Sequence, residues 1–227
     1  LQTTIPGLFA IGEANFSDHG GNRLGASALM QGLADGYFIL PVTIGDYLSK
    51  KFAEPKTDVT TAEVVKAEKD VQARIDKLFS IKGTKTVDSI HKKLGIIMWD
   101  YVGMARDEQG LKKAIKEIQA LKEDFYKNVN VPGSQYEFNQ ELEKALRLED
   151  FFEIGELMAR DALNRQESCG GHFRIESQTE EGEAKRDDAN FMYVAAWEYK
   201  GEGVEPELHK EPLKYEFIEV KTRNYKD

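Results

Sequence analysis

Cys169 is the only thiol in this chain of 227 residues. A lone cysteine excludes an internal disulfide and fits a reducing compartment. Metal-ligand patterns are missing too: the four histidines, His19, His91, His172 and His209, are scattered, with no CxxC or HxxxH spacing. Basic charge is in deficit, with 31 Lys and Arg against 40 Asp and Glu and a net charge of −9. Phosphate recognition needs a basic surface, so this balance opposes nucleic-acid binding. No apolar run approaches the ~20 residues of a membrane span, and no signal peptide is visible. Nowhere does a GxGxxG follow a strand, the fingerprint that would seat a dinucleotide pyrophosphate on a helix N-terminus. The length is enough to bury a core and to make one domain or two.

What is present begins with Gly7-Leu8-Phe9-Ala10-Ile11-Gly12-Glu13, which reads as a short apolar strand ending in a Gly-Glu turn. A glycine-rich loop follows, His19-Gly20-Gly21-Asn22-Arg23-Leu24-Gly25, and then a helix opens through Ala26-Ser27-Ala28-Leu29. A carboxylate at Glu13 can accept hydrogen bonds from sugar or ribityl hydroxyls. A helix opening near Gly25 aims unpaired N–H groups at an electron-rich ring or an anion. The same order of parts also describes an ordinary strand, loop and helix with glycines for close packing, and spacing alone does not separate the two.

Further along, the helix from Gly25 to Leu48 is expected to kink or divide at Pro41, and Phe52 to Asp58 reads as a linker. Thr60 and Glu63 have capping-box spacing; Val64, Val71, Ile75 and Leu78 mark a helix that Gly83 stops. A second helix carries Val87, Ile90, Leu94, Ile97, Met98 and Tyr101, and a third Leu111, Ile115, Ile118, Leu121 and Phe125. After Pro132-Gly133 a fourth runs through Leu142, Leu146, Phe151, Ile154, Met158 and Ala162. Lys and Glu fill the opposite faces as solvated surface, so an antiparallel bundle is expected, with packing and subunit contact as its role. Beyond Arg165 the glycine pair and the charged stretch Glu180 to Asp188 indicate a long ordered loop. Phe191 to Tyr199 and Tyr215 to Val220 read as strands, with an extended Val204 to Pro212 between them and a frayed end from Arg223 to Asp227.

The glycine-rich region resembles the second FAD-binding segment of the succinate dehydrogenase/fumarate reductase flavoprotein family, in which a GLFA-(I/V)-GE strand precedes HGxNRLGxxxL. Glu167-Ser168-Cys169-Gly170-Gly171-His172-Phe173-Arg174 and Arg186-Asp187-Asp188-Ala189-Asn190-Phe191 look like that family's ESRGxHxR and RDDxNW signatures. The resemblance implies an α+β, mainly helical fold: the end piece of an FAD-binding α/β domain over residues 1–50, a bundle of three or four helices over 58–165, and a loop and strand tail over 166–227. It implies a C-terminal piece of a longer subunit, since the chain begins with Leu1 and the family's pyrophosphate site, flavin-linking histidine and proton-donating arginine belong to preceding parts. The whole subunit is expected to interconvert succinate and fumarate by hydride transfer through FAD. Electrons then pass to an iron–sulfur subunit and a membrane-anchor cytochrome b subunit. It is expected on the cytoplasmic face of the inner membrane, peripheral through those partners. The piece by itself is expected to be inactive.

On the same resemblance, Arg23 binds substrate, because a planar, permanently charged guanidinium matches a carboxylate bidentately. Glu13, Ala28 and Leu29 bind the cofactor, the first through the ribityl chain and the others through backbone close to the flavin ring. His19 shapes the loop. His172 and Arg174, with Asp187-Asp188, read first as a structural network of ion pairs. Cys169 stands where many relatives carry arginine and, with no base near it in sequence, is expected to be inert. Two rivals remain open: a soluble L-aspartate oxidase-like flavoenzyme, and a non-catalytic helical interaction module.

Overall fold

The computed structural model describes residues 1–15 and 25–221. His19, Arg23 and the glycine loop around them, and the tail expected to fray from Arg223 to Asp227, lie outside the described residues.

The apolar stretch before Glu13 does not make the expected regular strand. A ladder needs a neighbour, and this stretch makes a single bridge among the described residues, Gln2 to Phe9. It spans a tight reversal in which Thr3 N donates to Leu8 O (2.9 Å) and Ala10 N donates to Leu1 O (3.0 Å). Phe9 packs edge-on against Tyr47 at 5.8 Å, so the reversal rests on the helix that follows. One tight helical turn, Gly12–Ala14, completes the segment.

The expected helix is continuous in course but changes pitch. α1 (Ser27–Ala34) passes into a wider π-helical turn, Asp35–Ile39, and then into α2 (Leu40–Ser49). The interruption therefore lies just before Pro41 rather than at it. Proline has no N–H to donate and its ring crowds the carbonyl four residues back; the wider turn ahead of it accommodates both defects.

The bundle is built from α4 (Val87–Val102), α5 (Glu108–Asn128) and α6 (Gln140–Asn164), running alternately up and down. Each has a side-chain N-cap: Thr86 Oγ1 accepts from Ser89 N (3.2 Å), Asp107 Oδ1 from Gly110 N (2.8 Å), and Asn139 Oδ1 from Glu141 N and Leu142 N (both 3.0 Å). Such caps satisfy donors that a helix cannot satisfy internally. The core joins Ile90 and Leu94 to Leu111, Ile118 and Phe125, closed by Leu148 and Phe152, whose ring lies 5.6 Å from that of Phe125. Residues Lys85–Thr86 (β1) and Val129–Asn130 (β2) pair in parallel, clasping the chain before α4 to the chain after α5.

α6 corrects the expected stripe. Its buried face is Ala145, Leu148, Glu149, Phe152, Gly155, Ala159 and Ala162, while Phe151, Ile154 and Met158 stand exposed on its flank. Leu142 and Leu146 pack at the core's edge. α3 (Ala62–Ser80) buries only Leu78 and leaves Val71 exposed, so it joins the bundle by its C-terminal end. Its start is not a capping box: Asp58 Oδ1 accepts from both Thr60 N and Thr60 Oγ1 at 2.8 Å, and the helix opens after Thr61 without a side-chain cap. Gly83 does not end it either, since the last helical residue is Ser80. A Cβ at Gly83 would stand 1.9 Å from Asn128 O; the glycine is there for the β1–β2 clasp.

In the tail, a short helix α7 (Asp188–Phe191) leads into β3 (Tyr193–Glu198), antiparallel to β4 (Glu207–Pro212). The partner of the first expected strand is thus the segment expected to be merely extended, and Tyr215 to Val220 forms no strand. Gly201 and Gly203, both at positive φ, turn the chain directly after β3 and bring the nearest following residues alongside. The architecture is mainly helical with two small sheets, in agreement with the expected class. Among the described residues, no helix is long and apolar enough to cross a membrane.

Candidate functional site

The first site locus is the contact between the Gly12–Ala14 turn and α1. Gly12 adopts φ +59°, and a Cβ there would lie 3.3 Å from Gly32 Cα, so two glycines let the turn lie directly on the helix. Gly12 N donates to Asp35 Oδ2 at 2.8 Å, and Gln31 Nε2 donates to Asn15 O at 3.3 Å. Ala28, Gln31, Gly32 and Asp35 share one helical face by their spacing, and both Ala28 and Asp35 are buried there. Glu13, between the two anchored ends, is exposed, and Leu29 is 68% exposed. Ala26, which precedes α1, holds φ +63°, the one non-glycine residue at positive φ among those described, and supplies no side-chain cap. A left-handed alanine is strained, and such strain clusters where a ligand approaches backbone.

Three of the four expected site residues are therefore placed. Glu13, Ala28 and Leu29 sit on or beside this contact, while Arg23 is outside the described residues. Asp35 and Gln31 were missed. The sequence signal for Asp35 was an acidic residue among Leu33, Ala34, Tyr37 and Phe38, in a stretch otherwise apolar. α1, the π-helical turn after it and α2 also present exposed apolar side chains, with Met30 of α1 and Tyr37 and Phe38 of the turn each at least two-thirds exposed, which marks an interaction surface.

The second locus is the Glu167–Arg174 motif, and its polar side chains are fasteners. Arg174, 3% exposed, donates through Nη1 to Ala162 O (2.9 Å), Leu163 O (3.3 Å) and Arg165 O (3.4 Å), the open carbonyls at the end of α6. Arg106 does the same for α4, donating through Nε to Val102 O and Gly103 O (both 3.0 Å). Cations at helix C-termini complement the helix dipole. His172 joins the two ends: Arg106 Nη1 donates to its Nδ1 and its Nε2 donates to Arg165 O, both at 2.8 Å. Burial holds the His172 pKa below the ordinary histidine value; the three nearby arginine charges push the same way, against the hydrogen bond to Arg165 O. A neutral ring with its proton on Nε2 satisfies both contacts.

Glu167, also buried, pairs with Arg165 (2.7 Å) and accepts from Asp187 N (2.8 Å); Ser168 Oγ accepts from Arg174 N (2.8 Å). Asp188 pairs with Arg186 and Asp187 caps α7, so the acidic pair serves the tail rather than His172. The expected network of ion pairs exists, in Arg165–Glu167, Arg174–Glu176 (3.1 Å) and Arg186–Asp188, and bonds from Arg106 and Arg174 to helix-end carbonyls run beside it. Cys169 closes a two-residue reversal with His172, and burial, then the Glu167 charge, raises its thiol pKa. A protonated, half-buried thiol is a poor nucleophile.

Comparison with known proteins gives the family of the chain. The family described as fumarate reductase flavoprotein C-term matches residues 91–225. The fumarate reductase flavoprotein subunit of Haemophilus influenzae is 30% identical over 214 residues, covering 94% of this chain and 33% of that protein. The succinate dehydrogenase flavoprotein subunit of Bacillus subtilis is 28% identical over 226 residues, covering 99% of this chain and 37% of that protein. A chain of an E. coli quinol fumarate reductase variant superposes with a TM-score of 0.78 at 25% identity, covering 96% of this chain and 35% of that one. The chain thus spans about a third of the length of the curated relatives it matches.

Proposed function

Because this chain belongs to the fumarate reductase flavoprotein C-terminal family, we propose that it is the C-terminal portion of a flavoprotein subunit that interconverts succinate and fumarate. In this reading residues 1–50 close an FAD-binding domain, 58–165 form the helical domain, and 166–227 are a tail that fastens α4 and α6. The observation that carries the reading is the seating of the Gly12–Ala14 turn on α1 at Gln31, Gly32 and Asp35, which leaves Glu13 exposed.

The residues present fit an FAD. Glu13 offers a carboxylate acceptor for ribityl hydroxyls. With Ala28 buried behind them, the small side chains of Gly25, Ala26 and Ser27, exposed or partly exposed, leave the backbone of the helix start approachable. Its partial positive charge, roughly half an elementary charge at most, stabilises electron density brought there. When bound, FAD supplies the hydride-transfer chemistry. The protein's part is positioning: Arg23 holds a carboxylate of the dicarboxylate substrate so that its central bond is presented in one orientation. The apolar face of α1 and α2 packs against the rest of the flavin domain. An iron–sulfur subunit receives the electrons, and a membrane-anchor cytochrome b subunit holds the assembly at the inner membrane's cytoplasmic face.

The test is succinate oxidation and fumarate reduction by the whole flavoprotein complex, wild type beside Arg23→Ala. Interconversion of the two acids by wild type, with loss of activity but retained flavin in the variant, is the expected result. A wild type that oxidises aspartate instead, or an unaffected variant, overturns the substrate assignment or the Arg23 role respectively.

A further inference from the structure

We infer that Asp35 and Gln31 are positioning residues that hold Glu13 ready for the cofactor; the inference rests on the flavin reading above. The two side chains lie four residues apart on one helical face and grip the two ends of a single turn. Asp35 anchors the entrance through Gly12 N, and Gln31 anchors the exit through Asn15 O. Glu13 is suspended between them with its side chain exposed.

Asp35 is a costly choice for a packing position. It is 5% exposed, and a buried carboxylate loses its hydration. Packing alone would be served by alanine or leucine, whereas a carboxylate provides a strong acceptor for one backbone N–H. Its position at the start of the π-helical turn Asp35–Ile39 is a second mark, since such turns are rare and recur at functional sites. Gly12 contributes the complementary half: its left-handed backbone and missing side chain let the turn reach the helix at Gly32. The clamp is closed within the protein's own residues, so the turn's shape is set at folding. Binding then need not order the Glu13 backbone, and affinity rises accordingly.

The experiment is a double-mutant cycle in the whole flavoprotein subunit, prepared without flavin. FAD binding is read by fluorescence quenching in the first seconds after mixing, and exchange of the Gly12 amide is followed beside it. Asp35→Ala is expected to speed Gly12 exchange and weaken FAD binding about tenfold. Asp35→Asn, which keeps an oxygen acceptor, is expected to stay close to wild type in both. Glu13→Ala is expected to weaken binding, and adding Asp35→Ala to it to cost much less than Asp35→Ala alone, because the two act through one contact. Additive effects in the cycle, or faster Gly12 exchange with unchanged FAD binding, overturn the clamp while leaving the flavin reading intact. Unchanged binding in Glu13→Ala itself removes the flavin role of Glu13, and the clamp with it. Gln31→Ala repeats the cycle should Asp35→Ala fail to fold, with the same expected coupling to Glu13.

Discussion

Arg106 and His172 meet through a single hydrogen bond, Nη1 to Nδ1 at 2.8 Å, and that bond joins the end of α4 to the loop beyond α6. The backbone reinforces it, with Arg106 N donating to Phe173 O (3.1 Å) and Ile175 N to Arg106 O (2.8 Å). Two helix ends far apart in sequence are thus closed by one motif, and its histidine is useful only while neutral.

A neutral requirement gives a pH dependence. The unfolded chain protonates His172 near pH 6.5, whereas the folded chain, with the pKa lowered by burial, does so only at lower pH. Between those points the unfolded state binds more protons, so the stability linked to His172 is complete above about pH 6.5 and falls as pH drops through the folded value. Urea midpoints measured from about pH 7.5 down to 5 should decline for wild type and decline less for His172→Gln, which can still donate and accept. Equal slopes for the two proteins would show that His172 is not the titrating group.

Arg174 should be a large single contributor to stability. Arg174→Ala removes a buried guanidinium from three carbonyls and should destabilise by roughly 2–3 kcal/mol. Arg174→Lys keeps the charge but not the planar fork, and should recover only part of that loss. Denaturant titration of the three proteins checks both. Full recovery by lysine would mean that charge, rather than the geometry of the fork, matters at the end of α6.

Two glycines make opposite predictions. Gly83→Ala drives a Cβ into the Asn128 carbonyl and should cost about 1–3 kcal/mol or more. Gly95, exposed in the middle of α4, has nothing within 4 Å of its ideal Cβ position. Gly95→Ala should therefore raise stability by roughly 0.5–1 kcal/mol through helix propensity. Thermal melts should move in opposite directions, and a destabilising Gly95→Ala would reveal a neighbour packed on that face.

The local patterns of this chain determined its helices. Apolar residues at three- and four-residue spacing placed α4 and α5 with the right face inward, because Ile90, Leu94, Ile118 and Phe125 are large, apolar and confined to one stripe. The flavoprotein motifs were legible for the same reason, being contiguous words. α6 was different. It carries apolar residues on two faces, and periodicity favours the bulkier one. Helices that pack closely need small residues at the crossing, so Ala145, Gly155 and Ala159 turned inward and Phe151, Ile154 and Met158 were left outside. Only tertiary structure could choose β4 as the partner of β3, since pairing follows turn geometry as well as residue preference. It alone revealed Asp35 as an acceptor for Gly12, 23 residues away in sequence. A buried hydrogen bond of that span leaves no periodic trace; it exists only where folding brings one backbone N–H to one carboxylate.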